Sequence, residues 1–277
     1  MNMNKNAAMA MTALLTSLGR SLAFALLVLS AWPAMAHDTW FERVDNPEGG
    51  AGQPLQLALG TGNLYPRYEA PVEPKVVTHW ACTDAKGTVH KPASTRVGRR
   101  HTLYRVPGPE VGTFSCVVRL QPFEVELASA IVDIYFDEIR ASDTLRAVLA
   151  RQRAQGRPFQ ERYLKVARIE GAAAPARDNS QPLDVLRVAP RGVLQAGSDA
   201  VFEVQRDGKP LAALPVELLH ETTPGGLWAR TDAAGRVSFR LPQPGRWLLR
   251  GVDLRPPITE DARWESRFIA YTFEVAR

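Results

Sequence analysis

The chain has 277 residues, 45% hydrophobic and 23% charged, with a formal net charge of +5 at pH 7. This composition is typical of a globular protein, and the length suits one large or two small domains. Basic residues are mixed with acidic ones along the chain, which argues against a nucleic-acid-binding surface.

Residues 1–36 have the features of a secretory signal peptide. Lys5 and Arg20 supply positive charge, residues 22–32 form an apolar run, and small residues precede His37. The apolar run is too short to span a bilayer, and no second long one follows. We therefore predict cleavage after Ala36 and an exported, periplasmic protein that is not membrane-embedded. It would begin at His37 and carry a net charge of +3, because Lys5 and Arg20 are removed.

Residues 37–125 read as short strands separated by turns, which predicts an N-terminal β-sandwich domain. Cys82 and Cys116 lie in apolar segments that are predicted strands. In an oxidising compartment we expect them to form one disulfide within this domain. The alternative, a thiolate pair binding a soft metal, lacks the close spacing of two cysteines in such sites.

Residues 126–181 are predicted to be a helical connector and linker. Apolar residues at helical spacing predict a helix over residues 130–139 and a second one after Ser142 and Asp143. A third helix is predicted to begin near Pro158, because Phe159, Tyr163, Val166 and Ile169 repeat the helical spacing. Residues 171–181 are small and polar and predict a linker.

Residues 182–277 return to a strand pattern, with seven predicted strands separated by turn signals such as Asp207–Gly208. This predicts a second, immunoglobulin-like β-sandwich domain at the C-terminus. The predicted fold class is therefore mainly β, with two immunoglobulin-like β-sandwich domains joined by a short helical segment, after a cleaved signal peptide.

Several motifs in one order resemble the DUF4198 family of bacterial periplasmic proteins, some of which are NikM-like and associated with nickel uptake. The motifs are residues 37–41 (HDTWF), 135–138 (YFDE), 161–167 (ERYLKVA), 207–211 (DGKPL), 231–237 (TDAAGRV), 244–248 (PGRWL) and 264–266 (WES). The sequence departs from the family pattern at residues 139–142, where a glycine is usual. The resemblance implies a periplasmic, non-enzymatic accessory protein linked to transition-metal transport, with a membrane metal transporter as partner.

His37 is the strongest metal-ligand candidate. A chain that begins with histidine offers its α-amine and its imidazole to one ion, and both can be neutral near pH 7 to 8. Copper(II) and nickel(II) favour such nitrogen donors. Alternatively, the processing site merely tolerates histidine, and Trp40 and Phe41 begin the first strand.

The other histidines form no paired metal motif. His101, ahead of His79, is predicted to complete a site with His37, because both lie in the same predicted domain. Asp38 is predicted to be a further oxygen ligand or a hydrogen-bonding partner of the ligands. Each of these histidines, taken alone, is more often a surface or core residue.

Trp247 follows a turn and enters a predicted strand, which indicates a core residue. Trp264 and Glu265 lie in a polar segment and are predicted to form a surface contact with a partner. Arg96, Arg99 and Arg100 form a basic loop that is expected to be solvated.

The sequence has no nucleophile elbow, phosphate loop or zinc-protease helix, so we expect no enzymatic activity. The leading hypothesis is a periplasmic metal-binding or accessory protein that handles nickel, cobalt or copper in uptake or homeostasis. One alternative is a histidine-brace copper oxidoreductase that resembles lytic polysaccharide monooxygenases. The other is a metal-free module that binds a protein or a glycan.

Overall fold

The computed structural model describes residues 37–44, 53–109, 112–172, 181–259 and 262–277. The predicted signal peptide and residues 173–180 of the predicted linker lie outside the described residues. Within the described ranges, no helix is both long and apolar enough to cross a membrane.

The described chain is mainly β-structure, which confirms the predicted fold class. Its helices are α1 (Ser129–Glu138) and α2 (Asp143–Ala154), with a 3₁₀ turn at Pro74–Val76. Its strands are β1 (Asp38–Arg43), β2 (Leu55–Gly62), β3 (Ala70–Pro71), β4 (Val77–Asp84), β5 (Val89–His90), β6 (Ser94–Val97), β7 (Thr102–Val106), β8 (Phe114–Leu120), β9 (Phe123–Leu127), β10 (Phe159–Glu170), β11 (Leu183–Ala189), β12 (Leu194–Gln195), β13 (Asp199–Arg206), β14 (Lys209–Pro210), β15 (Pro215–His220), β16 (Thr223–Arg230), β17 (Arg236–Arg240), β18 (Gly245–Arg255) and β19 (Trp264–Ala276).

The strands form three sheets. A ten-stranded sheet has the order β16-β15-β18-β19-β10-β8-β4-β5, with β12 beside β19 and β9 beside β10. A five-stranded sheet contains β1-β2-β7-β6 and β3, and a four-stranded sheet contains β11-β13-β14 and β17. Strand β10 joins the two halves of the large sheet, since it pairs antiparallel with β8 and parallel with β19.

The ten-stranded sheet has an apolar core on each face. Side chains alternate between the faces along each strand. Val117 therefore packs in one cluster with Val185 and Phe202 of the four-stranded sheet. Its neighbour Cys116 packs in another cluster with Leu57 of the five-stranded sheet. The large sheet is thus the common layer of two sandwich-like packings.

The two predicted helices near residues 130 and 143 are confirmed. The hydroxyl of Ser142 accepts a hydrogen bond from the main-chain N–H of Leu145 at 3.3 Å, and so caps α2. Phe136 of α1 and Leu149 of α2 are buried in one cluster with residues of β10 and β19. The helices therefore cover part of the ten-stranded sheet.

The predicted third helix is wrong, because residues 159–170 form strand β10. Phe159, Tyr163 and Val166 do have helical spacing, but the strand is covered by packed elements along both faces. Its charged residues Lys165 and Arg168 are consequently buried. The helical pattern predicts that these charged residues are exposed to solvent. Pairing of β10 with distant strands decides its secondary structure instead of the local spacing of apolar residues.

The predicted disulfide is confirmed. Cys82 of β4 lies directly opposite Cys116 of β8, and the two sulfur atoms are bonded. The predicted domain boundaries at residues 125 and 181 remain predictions. Between them, β10 belongs to the ten-stranded sheet that both halves share.

Candidate functional site

The start of strand β1 is fixed in the protein interior. Asp38, Thr39, Trp40 and Phe41 are all buried, and β1 pairs antiparallel with β2. The Trp40 and Phe41 side chains fall in different apolar clusters because successive strand residues point to opposite faces. Packing on both faces of β1 therefore holds the main chain next to His37.

Trp40, on one face of β1, is held by an aromatic stack. Its ring lies 5.0 Å from the Tyr68 ring, and the Tyr68 hydroxyl donates to the main-chain oxygens of Trp40 at 3.3 Å and Ala58 at 3.1 Å. The position of Gly60 must remain glycine, since a Cβ there would lie 2.4 Å from the Tyr68 ring. These contacts fix β1 relative to residues 63–69.

His37 lies beside an acidic residue of that segment. Its ring Nε2 is 3.2 Å from Oε2 of Glu69, whose Oε1 accepts a hydrogen bond from the main-chain N–H of Asn63 at 3.3 Å. Burial lowers the pKa of His37, and the charge of Lys165 lowers it further, against the opposing effects of Glu69 and Asp38. The imidazole is thus held in its neutral form more firmly than a solvated histidine.

Lys165 of β10 reaches the other side of His37. Its ammonium donates to the main-chain oxygen of His37, and the side chain is buried. Burial lowers the pKa of Lys165 to about 8, although the carboxylates of Asp38 and Glu161 act in the opposite direction. A buried cation therefore holds the carbonyl group of the first predicted mature residue.

Asp38 is held by Arg250 of β18. The Arg250 guanidinium donates to the Asp38 carboxylate, and its Nε donates to Oε2 of Glu217 at 2.7 Å. Burial alone would lower the pKa of Arg250, but the two carboxylates raise it above its ordinary value. We call Asp38, Lys165, Glu217 and Arg250 the β1 charge cluster.

A pocket adjoins this cluster between α1, β16 and β18. Asp38 and Arg250 form its polar wall, and the Arg140 guanidinium lies 4.2 Å above the ring of Trp228 at its rim. The remaining lining residues are Tyr135, Glu138, Ile139, Pro215, Gly251, Val252 and Phe268. The β1 charge cluster is therefore not enclosed on every side.

The other predicted ligands, His101, His79 and Asp38, remain predictions, and their contacts are as follows. The His101 ring lies 5.7 Å from that of Tyr68, and His79 of β4 is opposite Arg119 of β8. The Asp38 carboxylate is engaged by Arg250, so its contact is with a cation and not with the His37 ring. Within the described parts of the chain, no three His, Cys, Asp or Glu side chains are grouped so as to hold a metal ion.

The prediction of a surface contact at Trp264 is wrong. Trp264 begins β19, and its ring is fully buried, with Nε1 donating to Oε1 of Gln152 at 2.6 Å. Glu265 points outwards, as strand alternation requires, and pairs with Arg255. Trp247 is buried, as predicted.

The sequence interpretation missed Glu69, Lys165, Glu217 and Arg250. Lys165 lies in the segment that was predicted to be helical, and the other three lie far along the chain from His37. The pairing of β10 with β19 and of β15 with β18 helps to bring most of them to His37 and Asp38. No local motif signals such a cluster.

Comparison with known proteins identifies the family. Among curated proteins, none matches this chain. The family model described as a domain of unknown function, DUF4198, matches residues 34–252. The match covers more than three quarters of the sequence, including the β1 charge cluster, so the chain belongs to the DUF4198 family.

Proposed function

We propose that the processed chain is an exported accessory protein that binds one copper(II) or nickel(II) ion through the α-amine and the ring of His37. Its role would be to carry the ion, with a membrane metal transporter as partner. The proposal includes cleavage after Ala36, because only cleavage creates the free amine.

The contact between His37 and Glu69 carries the proposal. With Nε2 directed at the Glu69 carboxylate at 3.2 Å, the neutral ring has its proton on Nε2 and its lone pair on Nδ1. Nδ1 is the ring nitrogen nearer the main chain, where the α-amine lies after cleavage. A carboxylate that holds the outer ring nitrogen of a ligand histidine is a recurrent feature of metal sites.

The surrounding charges support the same proposal. Burial lowers the pKa of His37, which favours the neutral ring that a metal requires. Lys165 holds the carbonyl oxygen and Arg250 holds the next side chain, Asp38. The amine and the ring are therefore attached to a main chain that is already ordered, so less conformational entropy is lost on binding.

The remaining ligands distinguish the candidate functions. A histidine-brace oxidoreductase needs a second histidine on the ion, and His101 and then His79 are our candidates for it. We favour a carrier whose ion is completed by water or by the partner. An ion with few ligands from this chain is easily transferred to the partner.

The decisive experiment compares three processed forms by titration with copper(II) and nickel(II). They are the form that starts at His37, a form with one alanine added before His37, and His37→Ala. Loss of the chelate should weaken binding at least about 100-fold in both altered forms, because the second donor no longer binds intramolecularly. Intact mass confirms each start.

Unchanged affinity after the alanine addition would contradict the chelate, whatever His37→Ala does. Binding that neither change affects would move the site elsewhere. If no form binds either metal, the metal-free interaction module becomes the better hypothesis.

A further inference from the structure

The β6–β7 hairpin and the residues just before it form a strongly basic surface. Residues 91–106 contain five basic residues and no acidic residue. The remainder of residues 37–277 therefore carries a net charge of −2, because the whole of that range carries +3. We call the four hairpin side chains Arg96, Arg99, Arg100 and Arg105, together with Lys91 just before the hairpin, the basic hairpin.

These five side chains are exposed and lack acidic partners. None of them forms an ion pair with a described carboxylate, whereas the buried Arg168 and Arg187 do. Their charges are consequently not neutralised by ion pairs within the protein. The exposure of Arg96, Arg99 and Arg100 agrees with the solvated basic loop expected from the sequence.

The hairpin geometry brings the charges together. Ser94 lies opposite Arg105 and Arg96 lies opposite Leu103, so Arg96 and Arg105 are diagonal neighbours on one face. Like charges in neighbouring positions of a strand pair are destabilising without a counterion. At the tip, the main-chain N–H of Gly98 donates to the oxygen of His101 at 2.9 Å, and this turn presents Arg99 and Arg100.

The hairpin is held in place by its buried face. The opposite face of β7 is buried through Thr102, Tyr104 and Val106, and the Thr102 hydroxyl donates to the oxygen of Val72 at 2.7 Å. Val97 lies opposite Thr102, on the other face of the hairpin from Arg96, and stays 45% exposed next to the turn that presents Arg99 and Arg100. Apolar side chains next to basic ones are a feature of segments that bind at a membrane interface.

We propose that the basic hairpin is a docking surface for the anionic headgroups of a lipid membrane. The charge complementarity favours a negative partner, and the exposed Val97 favours lipid over nucleic acid. Single-stranded nucleic acids are bound through exposed aromatic rings, and the tyrosine of this hairpin, Tyr104, is buried. The proposal does not depend on the metal at His37.

The test is sedimentation of the processed chain with phosphatidylglycerol-containing vesicles, with pure phosphatidylcholine vesicles as reference. Each basic residue near an anionic surface contributes roughly a fivefold gain in affinity, so Arg96→Gln, Arg99→Gln and Arg100→Gln together should weaken binding on the order of 100-fold. Arg100→Gln alone should weaken it roughly fivefold. Binding should also fall in about 1 M salt, where charges are screened beyond about 3 Å.

The matched control is the combination Arg191→Gln, Lys209→Gln and Arg240→Gln, which removes the same charge from exposed positions in the C-terminal half. It should leave vesicle binding nearly unchanged. Equal losses in the two triple variants, equal binding to both kinds of vesicle, or no vesicle binding would each overturn the proposal. Binding to soluble heparin without binding to vesicles would overturn it in favour of a soluble polyanion.

Discussion

Strand β10 carries two buried cations, Lys165 and Arg168, and their surroundings differ sharply. Arg168 faces the side of the four-stranded sheet. Its guanidinium donates to both carboxylate oxygens of Asp184, at 2.8 and 2.6 Å, and to the Ser115 hydroxyl at 2.9 Å. Lys165 faces the opposite side and donates to the main-chain oxygen of His37.

Their pKa values move in opposite directions. Burial would lower the pKa of Arg168, but the Asp184 carboxylate raises it above its ordinary value. For Lys165, burial outweighs the carboxylates of Asp38 and Glu161 and lowers the pKa to about 8. The cost of burying Arg168 is thus offset by its ion pair with Asp184. The cost of burying Lys165, beside the candidate site, is only partly offset by Asp38 and Glu161.

The largest effect is expected from Arg168→Met. The substitution leaves the Asp184 carboxylate buried without its cation, and breaking a buried ion pair in this way costs about 3–5 kcal/mol. The free energy of unfolding in urea should fall by that amount. Metal affinity should be unchanged at temperatures where the variant is folded, because Arg168 and Lys165 lie on opposite faces of β10.

The matched control adds Asp184→Leu to Arg168→Met. Removing both charges should restore most of the lost stability, since no unpaired charge is left in the interior. If the double variant is as unstable as the single one, the loss of stability comes from the lost packing of the Arg168 guanidinium and not from the unpaired charge of Asp184.

A smaller effect is expected from Glu69→Gln, which tests the function of the other cluster. The Glu69 side chain is 46% exposed, so the stability should change little. If Glu69 orients a ligand histidine, the affinity for copper(II) or nickel(II) should fall about 10- to 100-fold. Isothermal titration of the processed chain measures this loss.

Glu73→Gln is the control for Glu69→Gln. It removes the same charge from an exposed position in the same segment, without a contact to His37. A similar loss of affinity in both variants would mean that general electrostatic attraction, and not the Glu69 contact, supports binding.

The sequence predicted strands well where one face of a strand is buried. Residues 182–277 were predicted to form strands, and β13 within them spans Asp199–Arg206 with alternating burial. The assumption that polar residues mark an exposed face failed for β10. Its polar residues are buried because β10 pairs with strands on both sides and is covered on both faces. The assumption failed for Trp264 as well, where Arg263 and Glu265 gave a polar appearance to the start of a buried strand.

The candidate site was predicted only in part, for a related reason. His37 and Asp38 are adjacent to a cleavage signal, which is a local pattern. Their contacts with Glu69, Lys165 and Arg250 arise from sheet pairings between distant segments, and a single sequence contains no local trace of such pairings. The sequence therefore identified the candidate ligand without the residues that orient it.

The smallest net effect on stability is expected from Lys165→Met in the metal-free protein at neutral pH. The difference between a folded pKa of about 8 and the ordinary 10.5 means that the charged side chain costs about 3 kcal/mol, and methionine removes this cost. The variant also loses a charged hydrogen bond to the His37 oxygen, which contributes about 1.5–3 kcal/mol. The two changes largely offset, so stability should stay within about 1.5 kcal/mol of the original, in contrast to Arg168→Met.

The pH dependence separates these two contributions. Between about pH 8 and pH 10.5 the unfolded chain keeps the Lys165 proton that the folded chain has released, so the stability of the original protein should rise with pH relative to Lys165→Met. Below about pH 8 both states are protonated, and the difference should be constant. The groups that face Lys165 are the Asp38 and Glu161 carboxylates and the Tyr163 and Phe268 rings, and the variant retains all of them. Parallel stability curves across the whole range would show that Lys165 is not held at a lowered pKa, and the contrast with Arg168 would then be one of geometry alone.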